Sequence, residues 1–367
     1  MEPRMCYGTA LMDRRSFLTG LGALVAGPAF VRASSLMPVR EIAMPLETDG
    51  FANAPTGTPQ YPNYFTSRNG ISPYSVRPPW HVAGVEYRVG INTGVSLKDP
   101  NTISSSIATI SGPLGAGQNA KTLNIQADNV TLDSYDFTLS GGYLISAGGH
   151  LNLTISNSKL QSFSIFMNKN SGPLTVNYCE INGLGSSGET LFGTLILMQD
   201  NVKGTFKYNW MHDCQNDIID MTTNDITAAF NLFDTMGYEA GAHADSIQFA
   251  GAGTANNISI KFNTYLQRVA TRAGPSSFID LETQIDAGAK MNNPEVAYNT
   301  ASNTAVGGAL GSTFYRVAQD VGAINNAYVH DNYADPTNMI GVISDTPTPG
   351  LGYHKRGNIL LTTGRSF

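Results

Sequence analysis

Between residues 215 and 263 the chain writes one unit twice, QNDIIDMTTNDITAAFN and then HADSIQFAGAGTANNISIKFN. Each copy has an Asp-led apolar run, a polar turn, a second apolar run and a closing Asn. A unit this short cannot bury its own apolar face, so copies must stack, which restricts the chain to a solenoid. The segment before each Asn recurs as LTISNS, LTVNYC, TFKYN, TAAFN, ISIKFN, EVAYN and YVHDN. Aligned, these place Ser158, Cys179, Asn209, Asn231, Asn263, Asn299 and Asn332 in one column. The apolar residues alternate, as in LNIQADNVTLDSYDFTL, and period-two alternation is the mark of strands. Outside the first 33 residues no stretch keeps the ~3.6-residue period of a helix.

A second strand family, TLILMQ, DIIDMT, DSIQFA, FIDLET and TFYRVA, precedes the first within each rung. Two strands to a rung, stacked along an axis, predict an all-β fold: a right-handed parallel β-helix over residues 90–345. An irregular lead-in (34–89) precedes it and a tail (346–367) is expected to cover the last rung and blunt its edge. The Asn column is expected to be a ladder, each amide bonding its equivalents above and below. Tyr178, Phe206, Tyr208, Phe230, Phe262 and Tyr298 are expected inward as a core stack, with Trp80 and His81 closing off the end of the core. Lys207, Lys261 and His330 form an outward column expected to be solvated.

Charged residues make up 14% of the chain, against ~25% in an average soluble protein. The formal net charge is −6 with no basic run, which argues against nucleic acid as a partner. Three cysteines without close spacing suit neither a disulfide scaffold nor a zinc site; Cys179 and Cys214 are expected as reduced, buried thiols. Residues 1–33 hold MDRRSFLTGLGALVAGPAFVRA, in which Arg14-Arg15 precedes a short Gly/Ala-rich apolar run. That pattern predicts a twin-arginine export signal, with Met12 a second candidate start. The run is too short to span a bilayer comfortably. The mature protein is therefore expected in the periplasm or secreted, without a membrane span, and as a monomer.

The second strand family also concentrates the candidate chemistry. With Ile219, Ile247, Ile279 and Tyr315 equivalent and inward, the next position is outward: Leu197, Asp220, Gln248, Asp280, Arg316. Two residues further come Gln199, Thr222, Ala250, Glu282 and Ala318. Asp217 and Asp245 precede the reference position by two, on adjacent rungs ~4.8 Å apart. The loop 235–242 leads to His243, and the loop 266–277 is expected to bring Arg268 and Arg272 near the same strands. Three chemistries suit these residue types. Asp217 and Asp245 can hold calcium through oxygen ligands. Paired carboxylates such as Asp220 and Asp280 can act as acid and base in inverting glycoside hydrolysis. A cation or Arg that neutralises a uronate, with His243 or another base, can drive β-elimination. A solvated polar column is the fourth possibility for Asp220, Asp280, Glu282, Arg272 and Arg316.

QNDIID and HADSIQ are similar to the Asn-Thr-Asp-Gly-Ile-Asp element of polygalacturonase-type hydrolases, and the repeat pattern over residues 90–345 resembles the pectate-lyase-like superfamily of β-helix proteins. Asp217 with Asp220, and Asp245 with Gln248, match the element's two acidic positions. Gln248 replaces an acid in the second copy, and the adjacent Asp-Asp, Gly-His-Gly, Arg-Ile-Lys and Trp-x-Asp-His elements are missing from the sequence. The resemblance implies a polysaccharide as substrate and leaves open lyase, hydrolase or carbohydrate-binding scaffold. An exported lyase of an acidic glycan is the reading put first.

Overall fold

Alternating apolar residues build three long sheets that run side by side along one axis. The computed structural model describes residues 50–65, 74–114, 119–168, 171–184, 193–199, 202–222, 224–250, 253–283, 288–305, 313–318, 322–337, 339, 341–346 and 352–367. Pro45–Phe367 forms a unit of its own; the expected export signal lies outside the described residues. Among the described residues the first sheet has ten strands, including Ile165–Met167, Ile196–Met198, Ile219–Met221, Ala244–Ala250, Pro275–Glu282 and Thr313–Ala318. All pair in parallel except Ala108–Ser111, which turns back antiparallel on Lys121–Ile125. The nine-stranded second sheet includes Gly204–Lys207, Ile226–Ala229 and Ser259–Lys261, and the eight-stranded third includes Trp210–His212, Leu232–Asp234 and Thr264–Gln267. Parallel pairing of successive rungs makes this a right-handed parallel β-helix.

Each rung therefore carries at least three strands where two were expected, and a short fourth sheet, Thr254–Asn256, Lys290–Asn292 and Ala323–Asn325, adds one more to three rungs. The missed family directly follows the Asn column, and its alternation is short: one inward residue per strand, Ile181, Met211, Phe233, Tyr265, Ala301 or Ala334, all fully buried. Inward columns such as Ile165, Ile196, Ile219, Ile247, Ile279 and Tyr315 complete the core.

The Asn column occupies the corner between the second and third sheets. Asn209 N and Nδ2 both donate to Asn231 Oδ1, at 3.0 Å each, while Nδ2 also donates to Val176 O at 2.8 Å. The pattern repeats through Asn263, Asn299 and Asn332 and continues to Asn358, within the stretch read as tail. Every amide is buried and its donors and acceptor are in use. Cys179 enters the ladder at its start, its N–H donating to Asn209 Oδ1.

The aromatic column needs correcting. Phe206 is inward, but Tyr178, Tyr208, Phe230, Phe262 and Tyr298 sit one residue before the ladder at left-handed φ of 56–61°, and that conformation turns their rings away from the core. They stack on one another outside the barrel, at centroid separations from 4.9 to 5.4 Å. A left-handed non-Gly residue costs about 1–2 kcal/mol, which ring stacking of ~0.5–1.5 kcal/mol per pair and the ladder's hydrogen bonds offset. The lead-in covers this stack: Trp80 packs edge-on against Phe262, Tyr298 and Tyr333, and Tyr208 Oη donates to Gly50 O. His81 stacks on Phe51. The lead-in is also pinned across the third sheet. Tyr61 Oη bonds Asp234, Tyr74 Oη donates to Asp335 Oδ2 at 3.0 Å, and Ser75 N donates to Leu361 O at 2.9 Å. Cys179 and Cys214 are free and buried. His330, expected solvated, is buried between Glu295 and Asp331. Among the described residues no helix is long and apolar enough to cross a membrane.

Candidate active site

The first sheet keeps the register that sequence alignment implied. Leu197, Asp220, Gln248, Asp280 and Arg316 are successive partners on its outer face. Their setting is less open than an exposed groove. Asp220 and Gln248 are half-buried, but Asp280 and Glu282 are fully buried and share Arg316: its guanidinium contacts Glu282, and Nη1 lies 3.5 Å from Asp280 Oδ2. The correction has a physical reason: two carboxylates at positions two apart on one face converge on one long side chain from the next strand, which covers them.

Asp217 and Asp245 share the inward parity of Ile219 and Ile247, and both are buried at the entrance of their strands. Asp217 Oδ1 accepts the N–H of Asp245 at 2.9 Å, and Asp245 Oδ1 accepts the N–H of Ser277 at 2.7 Å. Ser277 Oγ is 3.0 Å from Thr313 Oγ1. These residues form a second ladder at a second corner, built of acids. A register shift between Ala244 and Asp245 marks an irregularity of the kind that re-aims side chains. Asp245 Oδ2 lies 3.0 Å from His243 Nδ1. Asp245 is 0% exposed and His243 53% by side chain, so a buried carboxylate faces one nitrogen of a half-exposed imidazole.

Charge and burial shift all four of these groups upward. Burial, then the Asp245 charge, lifts Asp217 well above the usual carboxylate range. Burial and the Asp245 charge push Asp220 up to about 6. Burial raises Asp245 too, opposed by the imidazole. His243 is raised chiefly by its hydrogen bond to Asp245.

The loops beside the site are fastened to each other. Gln267 Oε1 accepts from Met236 N at 3.0 Å and its Nε2 donates to Met236 O at 3.1 Å. Gly237, at φ 79°, meets the Gly274 backbone so closely that a Cβ would lie 2.2 Å from its carbonyl oxygen. Any larger residue there would push the loop before His243 away. Arg272 is exposed on this second loop. Arg268 does not join the site: it forms a two-pronged ion pair with Asp234, 2.7 Å at each prong, under the Tyr61 ring. Gln267, Ser277 and Thr313 carry no motif, and only their place in the repeat could have drawn attention to them.

Donor atoms of His243, Asp245 and Asp280 lie within 4.8 Å of one another. An imidazole nitrogen beside two carboxylates does not match calcium, which takes an all-oxygen shell of six to eight ligands. Asp217, expected as the second calcium ligand, is outside this group. The donor set does not fit the expected calcium.

No family model, curated protein or solved structure matches this chain. Its repeated parallel sheets place it among the β-helix solenoids in general, a fold suited to carbohydrate-active proteins, and the cluster of half-exposed His243 with buried Asp245 and Asp280 is its candidate active site.

Proposed function

We propose that this chain is an exported polysaccharide-degrading enzyme in which Asp220 and His243 act as a base and acid pair, and that its reaction is glycoside hydrolysis. The observation that carries this reading is a carboxylate raised to about 6 on the same face as an imidazole raised above its ordinary value. Asp220 loses its proton near pH 6, whereas the buried Asp245 keeps a proton on His243 above its ordinary value. The raised imidazole holds its proton more tightly than a free one while Asp220 ionises above about 6, which is how a base and an acid come to coexist on one face. The Asp220 carboxylate takes a proton from water as its oxygen attacks the anomeric carbon. His243 donates its proton to the departing glycosidic oxygen, which completes the addition of water across the bond.

Charge favours hydrolysis over the elimination put first on sequence grounds. Hydrolysis passes through a positively charged oxocarbenium-like state, while elimination gathers negative charge on the uronate. Among the described residues Asp245 pairs with His243, Asp280 and Glu282 pair with Arg316, and Asp220 adds a further carboxylate near Asp245, an acid-rich face that suits the first state and opposes the second. Elimination is the second reading, favoured by the exposed Arg272 as a partner for a uronate carboxylate.

The test is a panel of neutral and acidic glycans. New reducing ends without unsaturated-uronide absorbance, and a bell-shaped pH profile rising near pH 6 and falling above the ordinary histidine value, are expected. Unsaturated products would select elimination, and no turnover on any glycan would overturn the enzyme reading.

A further inference from the structure

We infer that Phe166 and Leu197 form a sugar-stacking subsite next to the candidate active site, which extends the glycan chain along the helix axis on the N-terminal side of Asp220. The inference rests on the carbohydrate reading above. The outer column of the first sheet runs Ser146, Phe166, Leu197, Asp220, Gln248, Asp280, Arg316. It is apolar on one side of Asp220 and polar on the other. Phe166 and Leu197 are outward by alternation with the buried Ile165, Met167, Ile196 and Met198, yet they remain half-buried. An outward aromatic beside an aliphatic residue is unusual on a sheet face that elsewhere shows polar groups.

Position decides what such a pair can bind. Phe166 stands two strand spacings from Asp220, ~9.6 Å along the axis, with Leu197 between them. A pyranose has one face made of C–H groups, and an aromatic ring with negative π-faces attracts them. A sugar ring seated over Leu197 and Phe166 leaves the next glycosidic bond over Asp220. Phe163, buried, packs a tilted ring 6.2 Å from that of Phe166 and limits its swing. Gln248, on the far side of Asp220, offers an amide to the hydroxyls of the sugar that leaves.

The experiment measures kcat and KM on oligosaccharides of increasing length from a glycan the wild type cleaves, for Phe166→Ala, Phe166→Tyr and, on the second sheet, Lys207→Ala. We expect Phe166→Ala to raise KM roughly tenfold on long chains, with the loss shrinking as chains shorten, Phe166→Tyr to restore it, and Lys207→Ala to match wild type. A melting curve like that of wild type separates this loss from misfolding. Equal effects of Phe166→Ala at every length, or none, would overturn the subsite alone. A wild type that neither binds nor cleaves any glycan overturns the carbohydrate reading and the subsite with it.

Discussion

Two corners of this β-helix carry ladders, and they differ by one atom per rung. At one corner an asparagine stands in each turn; at the other stand Asp217 and Asp245, followed by Ser277. Both use a side-chain oxygen to accept the backbone N–H of an equivalent residue. The amide has in addition an NH2 group, which closes the circuit by donating to a carbonyl and to the next amide. A carboxylate has no such donor. Burying it leaves lone pairs and charge to be met in another way: Asp217 binds its proton more tightly than a free carboxylate, and Asp245 faces the His243 imidazole. The neutral ladder is finished as structure. The acidic one is left with unspent electrostatic demand, which falls on the imidazole and on Asp220 beside it.

The sharpest way to break the distinction is to convert one ladder into the other. Asn263→Asp replaces the donor to Ala228 O and Asn299 Oδ1 with an oxygen facing oxygens. We expect a loss of ~3–5 kcal/mol at pH 7, smaller at pH 4 where the carboxyl regains a proton to donate. Denaturant midpoints at both pH values check this, and a variant as stable as wild type would show that the amide donors are dispensable.

The reverse conversion should affect catalysis and spare the fold. Asp245→Asn keeps an acceptor for Ser277 N–H and removes the charge that raises His243. Turnover is expected to fall by roughly 10²-fold, with the alkaline limb of the pH profile moving to lower pH and the melting temperature holding. An unmoved alkaline limb would separate His243 from that limb.

Asp220 should exchange activity for stability. Its folded value, about 6, lies above the ordinary 3.8. The folded state therefore holds this proton more tightly than the unfolded chain, and the associated stability is full below pH 3.8 and lost as pH rises through 6. Above pH 6 the buried charge lowers stability by at most ~3 kcal/mol. Asp220→Asn should remove that loss: a higher melting temperature than wild type at pH 8, a similar one at pH 4, and activity near background at both. An unchanged melting temperature at pH 8 would mean that Asp220 ionises as freely in the fold as in water.

The smallest effect concerns the pins of the lead-in. Tyr61→Phe removes the hydroxyl on Asp234 while Arg268 still holds both carboxylate oxygens. About 1 kcal/mol should be lost, read as a shifted denaturant midpoint, and activity should be unchanged because this node lies on a different sheet from Asp220.

How much of this was legible in the sequence follows from what each ladder demands. Asn at one position in rung after rung is a strong periodic signal, and the equivalence of Ile219, Ile247 and Ile279 set the register that brings Asp220, Gln248 and Asp280 into one column. The third strand family was missed because each member contributes a single inward residue, too few to show alternation. The aromatics before each Asn looked inward because they are apolar; their left-handed φ is set by the tight corner, and the string of letters does not carry it. In the site, the adjacency of Asp217 and Asp245 was readable from spacing. The burial of Asp280 and Glu282 was not, because it depends on where the long side chain of Arg316 lies. Nor did the sequence separate Arg268, which serves Asp234, from Arg272, which stays exposed.

Stacked-repeat proteins commonly gain and lose rungs one neighbour at a time, since each rung touches only the next. The lead-in changes that topology. Residues near the start of this unit bond Asp234, Asp335 and Leu361, up to 286 positions away in the chain. Such contacts form late, because the intervening loop must close first. While the chain is being synthesised, the stack can grow rung by rung but cannot be clasped until its last rungs exist. Once clasped, a fraying end rung has to release a segment anchored at several other rungs. The lead-in thereby turns a row of locally stable repeats into a body expected to unfold as one, and a chain truncated before Leu361 should melt in a broader transition than the whole.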